Sequence, residues 1–197
     1  MLTTASLASA QGTSLARLST TLDSSTRVAV LAIVDSARVA RLPSEILINK
    51  ALEGAGKHAD GPRIVAAVRS LAGELSRSRD ALGRASRPEE ITAGAHALHA
   101  GVPAAELGKL RQAAVGRPLT TPLTVLTDLV ARGVPATTAS SAMITLAHAG
   151  LRDADFTAFQ RAVRVDIEHG ADPAAAVITR TRGATLRRGG SGPSSGR

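Results

Sequence analysis

The sequence lacks cysteine, tryptophan and tyrosine, and it has only two phenylalanines among 197 residues. Without cysteine there are no disulfides, no thiolate metal ligands and no thiol nucleophile. The two rings, Phe156 and Phe159, have the spacing of core residues, so aromatic stacking on nucleic-acid bases is not expected. No run of 18 apolar residues occurs, and the sequence therefore predicts no membrane-spanning helix.

Alanine dominates what is present, with 38 copies in a sequence that is 44% hydrophobic. It is the best helix former and loses no side-chain entropy on burial. Each alanine buries little area, so such a core needs many close helix–helix contacts around leucine, valine and isoleucine. The composition predicts an all-α protein.

Glycine and proline divide the sequence into segments with helical periodicity. Gly61-Pro62 opens the clearest one, in which Ile64, Val68 and Leu71 stand at positions 0, +4 and +7. These positions form one apolar stripe on a helix.

Capping patterns mark further helix starts. Ser24 and Asp153 are predicted caps, and Ser86-Arg87-Pro88-Glu89 has the pattern of a capping box with proline in the first turn. Glu89 and its neighbour Glu90 are therefore interpreted as first-turn residues and not as a catalytic pair.

Three helix joints resemble one another: LHAGVPAAE, LVARGVPATT and IEHGADPAAA. Each has a glycine suited to ending a helix and a proline suited to the first position of the next. Gly101, Gly133 and Gly170 are 32 and 37 residues apart, a period typical of paired-helix repeats. We expect about nine short helices in three to four helical hairpins, either a solenoid-like repeat or a compact orthogonal bundle.

The two ends differ in composition from the middle. We predict a disordered N-terminus at 1–21, a helical-hairpin domain at 22–182 and a disordered Gly/Ser/Arg tail at 183–197. Ala8-Ser9-Ala10 before Gln11 fits a signal-peptidase site, so the first segment is interpreted as the remnant of a signal peptide cleaved near Ala10/Gln11. Export, for example to the periplasm, is the expected location, and the alternative is the cytoplasm.

The formal net charge is +8, and five of the arginines follow residue 179 without any acid among them. They are Arg180, Arg182, Arg187, Arg188 and Arg197. Such a tail favours weak, non-specific binding of nucleic acid or another polyanion. A helix that reads a DNA groove would be basic, whereas PAAELGKLRQ and PATTASSAM are poor in charge.

The stretch GAGKHADG, residues 54–61, looks most like a phosphate site. A P-loop needs glycine at residue 51 and Ser or Thr at residue 58, but Ala51 and His58 stand there, and the preceding pattern is helical. We interpret the stretch as a helix joint. Charge gathers around it, and the candidate binding residues are Lys50, Glu53, Lys57, Arg63 and Arg69.

Histidine offers the one metal-like pair, His96 and His99, spaced i, i+3 on one helix. No third ligand accompanies them, so no metal and no cofactor is predicted. His58, His148 and His169 stand near helix ends, where a cation suits the helix dipole. No catalytic constellation is found, and the protein is predicted not to be an enzyme.

From Arg41 to about Gly183 the sequence resembles a family of uncharacterised bacterial exported helical proteins. The resemblance rests on Leu42-Pro43, KALEG at 50–54, Lys57, Pro62-Arg63-Ile64 and the Gly-Val-Pro joints. It implies an all-α fold and a signal peptide, and no known activity.

These observations predict a non-enzymatic, exported helical-repeat protein that binds another macromolecule, with an unknown protein partner, or serves as an envelope accessory module. The alternative is a weak, non-specific nucleic-acid- or polyanion-binding protein that uses its arginine-rich tail.

Overall fold

The computed structural model describes residues 17–189, and every regular element in that range is helical. Helical residues 17–21 come first. Nine helices follow: α1 (Ser24–Val39), α2 (Glu45–Gly56), α3 (Gly61–Leu82), α4 (Pro88–His99), α5 (Ala104–Ala113), α6 (Thr120–Ala131), α7 (Ala136–His148), α8 (Asp153–Glu168) and α9 (Pro173–Gly189). The predicted all-α fold of about nine short helices is confirmed.

The chain divides into two compact units, residues 1–79 and 80–197, where the sequence predicts one helical domain over 22–182. Helix α3 runs through the boundary.

Helix α9 continues past residue 182 to Gly189, so the prediction that residues 183–189 belong to a disordered tail is wrong. Ala184 packs against the hydrophobic core, and the Thr185 hydroxyl donates to the Thr181 carbonyl at 3.3 Å. The predicted signal-peptide remnant at Ala10/Gln11 and the last eight residues lie outside the described part of the chain.

In the first unit, close approaches hold α1, α2 and α3 together. A Cβ atom built on Gly61 would lie 2.0 Å from the Thr26 hydroxyl oxygen, and one built on Gly54 would lie 2.9 Å from Ile64 Cγ1. Thr26 and Ile64 are both buried. Glycine is therefore required here by helix packing.

In the second unit, helices two apart in the chain pack side by side. Helix α4 packs on α6 and α6 on α8, while α5 packs on α7 and α7 on α9. Helices α6 and α7, and likewise α8 and α9, also contact each other. This is the order of stacked helix pairs, in which the first helices of successive pairs form one row and the second helices another. One hydrophobic core runs through these rows, from Leu82 to Val177.

The three repeated joints all connect the first helix of a pair to the second. Gly101, Gly133 and Gly170 have φ angles of +93°, +88° and +90°, as the sequence predicts for glycines that end helices. Val102 and Val134 then donate a backbone hydrogen bond to the residue five positions back, and both side chains are buried. Glycine thus ends the first helix of each pair. In the first two of the three joints, the buried valine after the glycine anchors the joint to the core.

Several predicted caps are off by one residue. Asp23 caps α1 in place of Ser24, because its Oδ1 accepts from the backbone N–H of Ser25 and of Thr26 at 3.0 Å each. Arg152 precedes α8 in place of Asp153, and its N–H donates to Asp155. The prolines at 103 and 135 occupy the N-cap position, since their ψ angles of 141° and 134° are not helical.

Candidate functional site

The predicted binding residues on α2 and at its end form a small ion-pair cluster. Lys50 Nζ lies 3.1 Å from Glu53 Oε2, and Lys57 Nζ lies 2.5 Å from Glu53 Oε1. The hydrogen bond from Lys57, followed by that from Lys50, holds the pKa of Glu53 below its ordinary value. All three side chains are solvent-accessible, and the two lysines share one carboxylate, so the cluster keeps a single excess positive charge that solvent screens.

The other two predicted binding residues lie elsewhere on the first unit. Arg63 is exposed in the first turn of α3, where its backbone N–H donates to Asp60 Oδ1 at 2.8 Å. Arg69 lines a separate groove with residues of α1, among them Ile33 and Ala37. The structure therefore brings together three of the five candidates, and their role in binding stays a prediction.

The stretch GAGKHADG connects α2 to α3, as interpreted from the sequence. Gly54 and Gly56 belong to α2, and the left-handed residue that ends the helix is His58, with φ of 55°. The N–H of Ala59 then donates back to the Gly54 carbonyl at 3.0 Å. The N–H of Arg63 is occupied by Asp60, so the start of α3 is capped by the chain's own carboxylate.

The second unit has a groove of about 580 Å³ between α4 and α6, which we call the α4–α6 groove. Four threonines contribute to its walls, one from α4 and three from α6. Its lining residues are Pro88, Glu89, Thr92, Ala93, His96, Thr120, Thr124, Thr127, Asp128 and Ala131.

Two of the groove threonines have hydroxyls that bond the backbone of α6. The Thr124 hydroxyl donates to the Thr120 carbonyl and the Thr127 hydroxyl to the Leu123 carbonyl, each at 2.9 Å. A hydroxyl that bonds its own helix one turn back is already satisfied. The groove is therefore more apolar than its composition indicates, and apolar walls with a few polar groups are typical of binding sites.

The charged groups that line the α4–α6 groove are both carboxylates. Glu89 is exposed and makes no ion pair within residues 17–189, whereas Asp128 Oδ2 lies 2.8 Å from Arg132 Nε. Burial alone would raise the pKa of Asp128, but hydrogen bonds from Arg132 and Gln160 outweigh it and hold that pKa below its ordinary value. Asp128 is therefore held ionised by its partners, and Glu89 is the carboxylate available to a cationic ligand.

The buried carboxylate of Glu90 fixes the two walls of the groove relative to each other. Its Oε2 accepts from the Arg87 N–H at 3.0 Å, at the start of α4, and its Oε1 accepts from the Leu119 N–H at 2.7 Å, at the start of α6. Arg111 on α5 lies 2.9 Å away and balances the charge. The residue that completes the capping box is thus Glu90 and not Glu89, and α4 and α6 begin side by side.

Two arginines continue this network beneath the loop between α5 and α6. Arg111 donates to the Arg117 carbonyl at 3.1 Å. The Arg117 guanidinium donates to the carbonyls of Ala113, Ala147 and Leu151, at or just beyond the ends of α5 and α7. Cations suit the C-terminal ends of helices, so Arg117 ties one helix pair to the next.

Burial alone would raise the pKa of Glu90, yet its pKa lies below the ordinary value. The hydrogen bonds from the Arg87 N–H, the Arg111 guanidinium and the Leu119 N–H together outweigh the cost of burial. Glu90 therefore stays ionised and acts as a fixed structural anion.

The two histidines considered as metal ligands have different positions. His96 lines the α4–α6 groove, and His99 is the last residue of α4. Among residues 17–189 no group of three or more His, Asp or Glu side chains is placed to hold a metal ion. In the same range, no helix combines the length and apolarity needed to cross a membrane.

The chain matches no protein-family model, no curated protein and no solved structure.

Proposed function

We propose that this chain is a non-enzymatic, exported helical-repeat protein that binds a segment of another protein in the α4–α6 groove. The observation that carries the proposal is the α4–α6 groove of about 580 Å³ with largely apolar walls, in which the hydroxyls of Thr124 and Thr127 already bond their own helix. The rigid attachment of both walls to Glu90 supports it, since a preformed groove binds with a smaller loss of entropy.

The chemistry of the groove selects the partner segment. Largely apolar walls favour apolar side chains, and the unpaired carboxylate of Glu89 favours a cation beside them. An amphipathic helix that carries leucine and arginine on one face has both features. We therefore expect a basic amphipathic segment to bind and its acidic counterpart to be rejected.

Binding can be measured by fluorescence anisotropy with two labelled designed peptides, a Leu/Ala/Arg amphipathic helix and the same sequence with Glu at each Arg. The full-length protein should bind the basic peptide at least about tenfold more tightly, a difference of about 1.4 kcal/mol. Equal binding of both peptides, or of neither, would contradict the proposal.

A matched pair of tryptophan variants locates the site. Thr124→Trp fills the α4–α6 groove and should weaken binding of the basic peptide by about tenfold or more. Thr157→Trp is the control, because Thr157 is an exposed helical threonine on α8 whose hydroxyl makes the same type of bond to its own helix. Equal binding by the two variants would place the site elsewhere.

Export is supported by Ala8-Ser9-Ala10-Gln11 and by the resemblance to exported helical proteins. The genomic DNA upstream of the Met1 codon tests it. An in-frame start with Lys or Arg followed by an apolar run supports export, and a stop codon immediately upstream would count against it.

The alternative function, polyanion binding, is favoured by the composition of α9, whose charged residues are all arginine. Binding of a double-stranded DNA fragment would then fall steeply between about 50 and 200 mM salt. Arg180 contributes little to such a surface, because its Nε and Nη2 lie 2.6 and 2.5 Å from the two carboxylate oxygens of Asp166. Binding of the basic peptide together with weak, salt-insensitive DNA binding would favour the groove.

A further inference from the structure

Helix α9 carries an exposed apolar stripe with a cation at its centre. Ile178 and Leu186 are 44% and 75% exposed, and Arg182 lies midway between them, four residues from each. Residues at this spacing lie on one face of a helix. We call Ile178, Arg182 and Leu186 the α9 stripe. Contiguous exposed apolar patches bordered by polar residues mark contact sites, and the α9 stripe is a small surface of this kind.

The α9 stripe and the α4–α6 groove have complementary charge. Arg182 makes no ion pair within the described range, and neither does Glu89 in the groove. Arg180, on another side of α9, is already held by Asp166 and is not available. One unpaired cation thus stands between two apolar side chains on the stripe, and one unpaired anion stands in a largely apolar groove.

Their lengths also correspond. From Ile178 to Leu186 the stripe rises about 12 Å, at 1.5 Å per residue. The groove extends from Thr120 to Ala131 along α6, about 16 Å by the same measure. The stripe therefore fits within the groove over two turns of helix.

We propose that the segment bound in the α4–α6 groove is the α9 stripe of a second copy of this chain, with Arg182 of one copy paired to Glu89 of the next. This inference rests on the proposed function, because it names the occupant of the same groove. Stripe and groove are different surfaces, so the contact is head-to-tail. The copy that contributes its stripe keeps a free groove, and the copy that contributes its groove keeps a free stripe, so each can bind a further copy. A single helix in one groove is a small interface, so the assembly is transient and depends on concentration.

Charge reversal tests the pairing without disturbing the fold, since both residues are exposed. Sedimentation velocity over a protein concentration series up to about 1 mM should show that the apparent mass of the wild-type protein rises above the mass of one chain. Arg182→Glu places two carboxylates together and Glu89→Arg places two guanidiniums together. Each variant alone should associate at least about tenfold more weakly.

Mixing the two variants provides the decisive measurement. The stripe of the Arg182→Glu variant is then acidic and meets the basic groove of the Glu89→Arg variant. The unchanged stripe of the Glu89→Arg variant likewise meets the unchanged groove of the Arg182→Glu variant, so an equimolar mixture should recover association that neither variant shows. Arg161→Glu is the control for net charge, because Arg161 is an exposed α8 arginine outside both surfaces, and it should associate like wild type.

The apolar part of the contact has its own variant. Leu186→Ser removes an exposed side chain and should weaken association while leaving the urea unfolding midpoint unchanged. Wild-type protein that remains one chain at every concentration, or a mixture that does not recover association, overturns the inference.

The designed peptides separate this inference from the proposed function. If the basic designed peptide binds the groove but a synthetic peptide of residues 173–189 does not, the groove is a binding site and self-association is wrong. If neither peptide binds, both proposals fail.

Discussion

One carboxylate oxygen of Glu90 accepts a 2.7 Å hydrogen bond from the buried backbone N–H of Leu119, 29 residues further along the chain. The bond joins the start of α4 to the start of α6, the two helices that form the candidate groove. A carboxylate can accept several N–H bonds at once, and here one side chain serves two helix starts and a guanidinium. Glu90 therefore fixes the two walls of the groove to each other at the starts of α4 and α6.

Glu90→Ala should lower the free energy of unfolding by about 3 kcal/mol or more, because it leaves the Arg111 guanidinium and the Leu119 N–H without their buried acceptor. Urea denaturation followed by circular dichroism measures this loss. Glu89→Ala is the matched control. Glu89 is an exposed first-turn glutamate, and its replacement should lower the free energy of unfolding by less than about 1 kcal/mol. Equal losses for the two variants would show that the Glu90 network does not stabilise the fold.

The Glu90 network should also make stability depend on acid pH. The pKa of Glu90 is lowered in the folded protein, so its contribution is complete above the ordinary value of 4.5 and is lost as pH falls through the lower folded pKa. The stability advantage of wild type over Glu90→Gln should therefore shrink as the pH falls below the ordinary value of 4.5. Urea midpoints at several pH values measure it, and a difference that stays constant would contradict the role of ionised Glu90.

Two glycines of α2 should respond in opposite ways to alanine. Both variants gain helix propensity, but only Gly54→Ala places a Cβ 2.9 Å from Ile64 Cγ1, whereas the space around Gly56 is open to 4 Å. Gly54→Ala should thus be less stable than Gly56→Ala by about 1–3 kcal/mol, the usual cost of overpacking. Thermal and urea unfolding of the pair measure the difference, and equal stability would mean that α2 and α3 are not packed this closely.

A buried hydroxyl on α7 should be dispensable. Ser140 is 1% exposed, and its Oγ has no hydrogen-bond partner among residues 17–189. Ser140→Ala should therefore be more stable than Ser141→Ala by about 1 kcal/mol, since both gain helix propensity and only the first removes an unsatisfied buried group. A loss of stability in Ser140→Ala, read from the urea midpoint, would indicate that the hydroxyl has an acceptor.

The candidate groove was only partly readable from the sequence. The 4- and 3-residue spacing of Thr120, Thr124 and Thr127 places them on one face of α6. That spacing could have indicated a special surface, but threonines on a solvated face have the same pattern. Glu89 and Glu90 are adjacent and chemically alike, so no local pattern tells which is exposed in the groove and which is buried beneath it.

The charged cluster around GAGKHADG shows the opposite case. Its residues attracted attention because Lys50, Glu53 and Lys57 lie at i, i+3 and i+7, yet that spacing also lets them pair with one another. Arg69, which was included for its charge, lies in a different groove. It is six residues after Arg63 on α3, nearly two helical turns from the joint.

By itself the sequence determined the helical fold, the approximate number of helices and the glycine positions that end them, because propensity, periodicity and left-handed backbone geometry are local properties. Only the tertiary structure decided that Gly54 is needed for packing, that Glu90 bridges two helix starts, and that α4 and α6 form a groove. Those features depend on atoms that are distant in sequence and meet only when the helices pack.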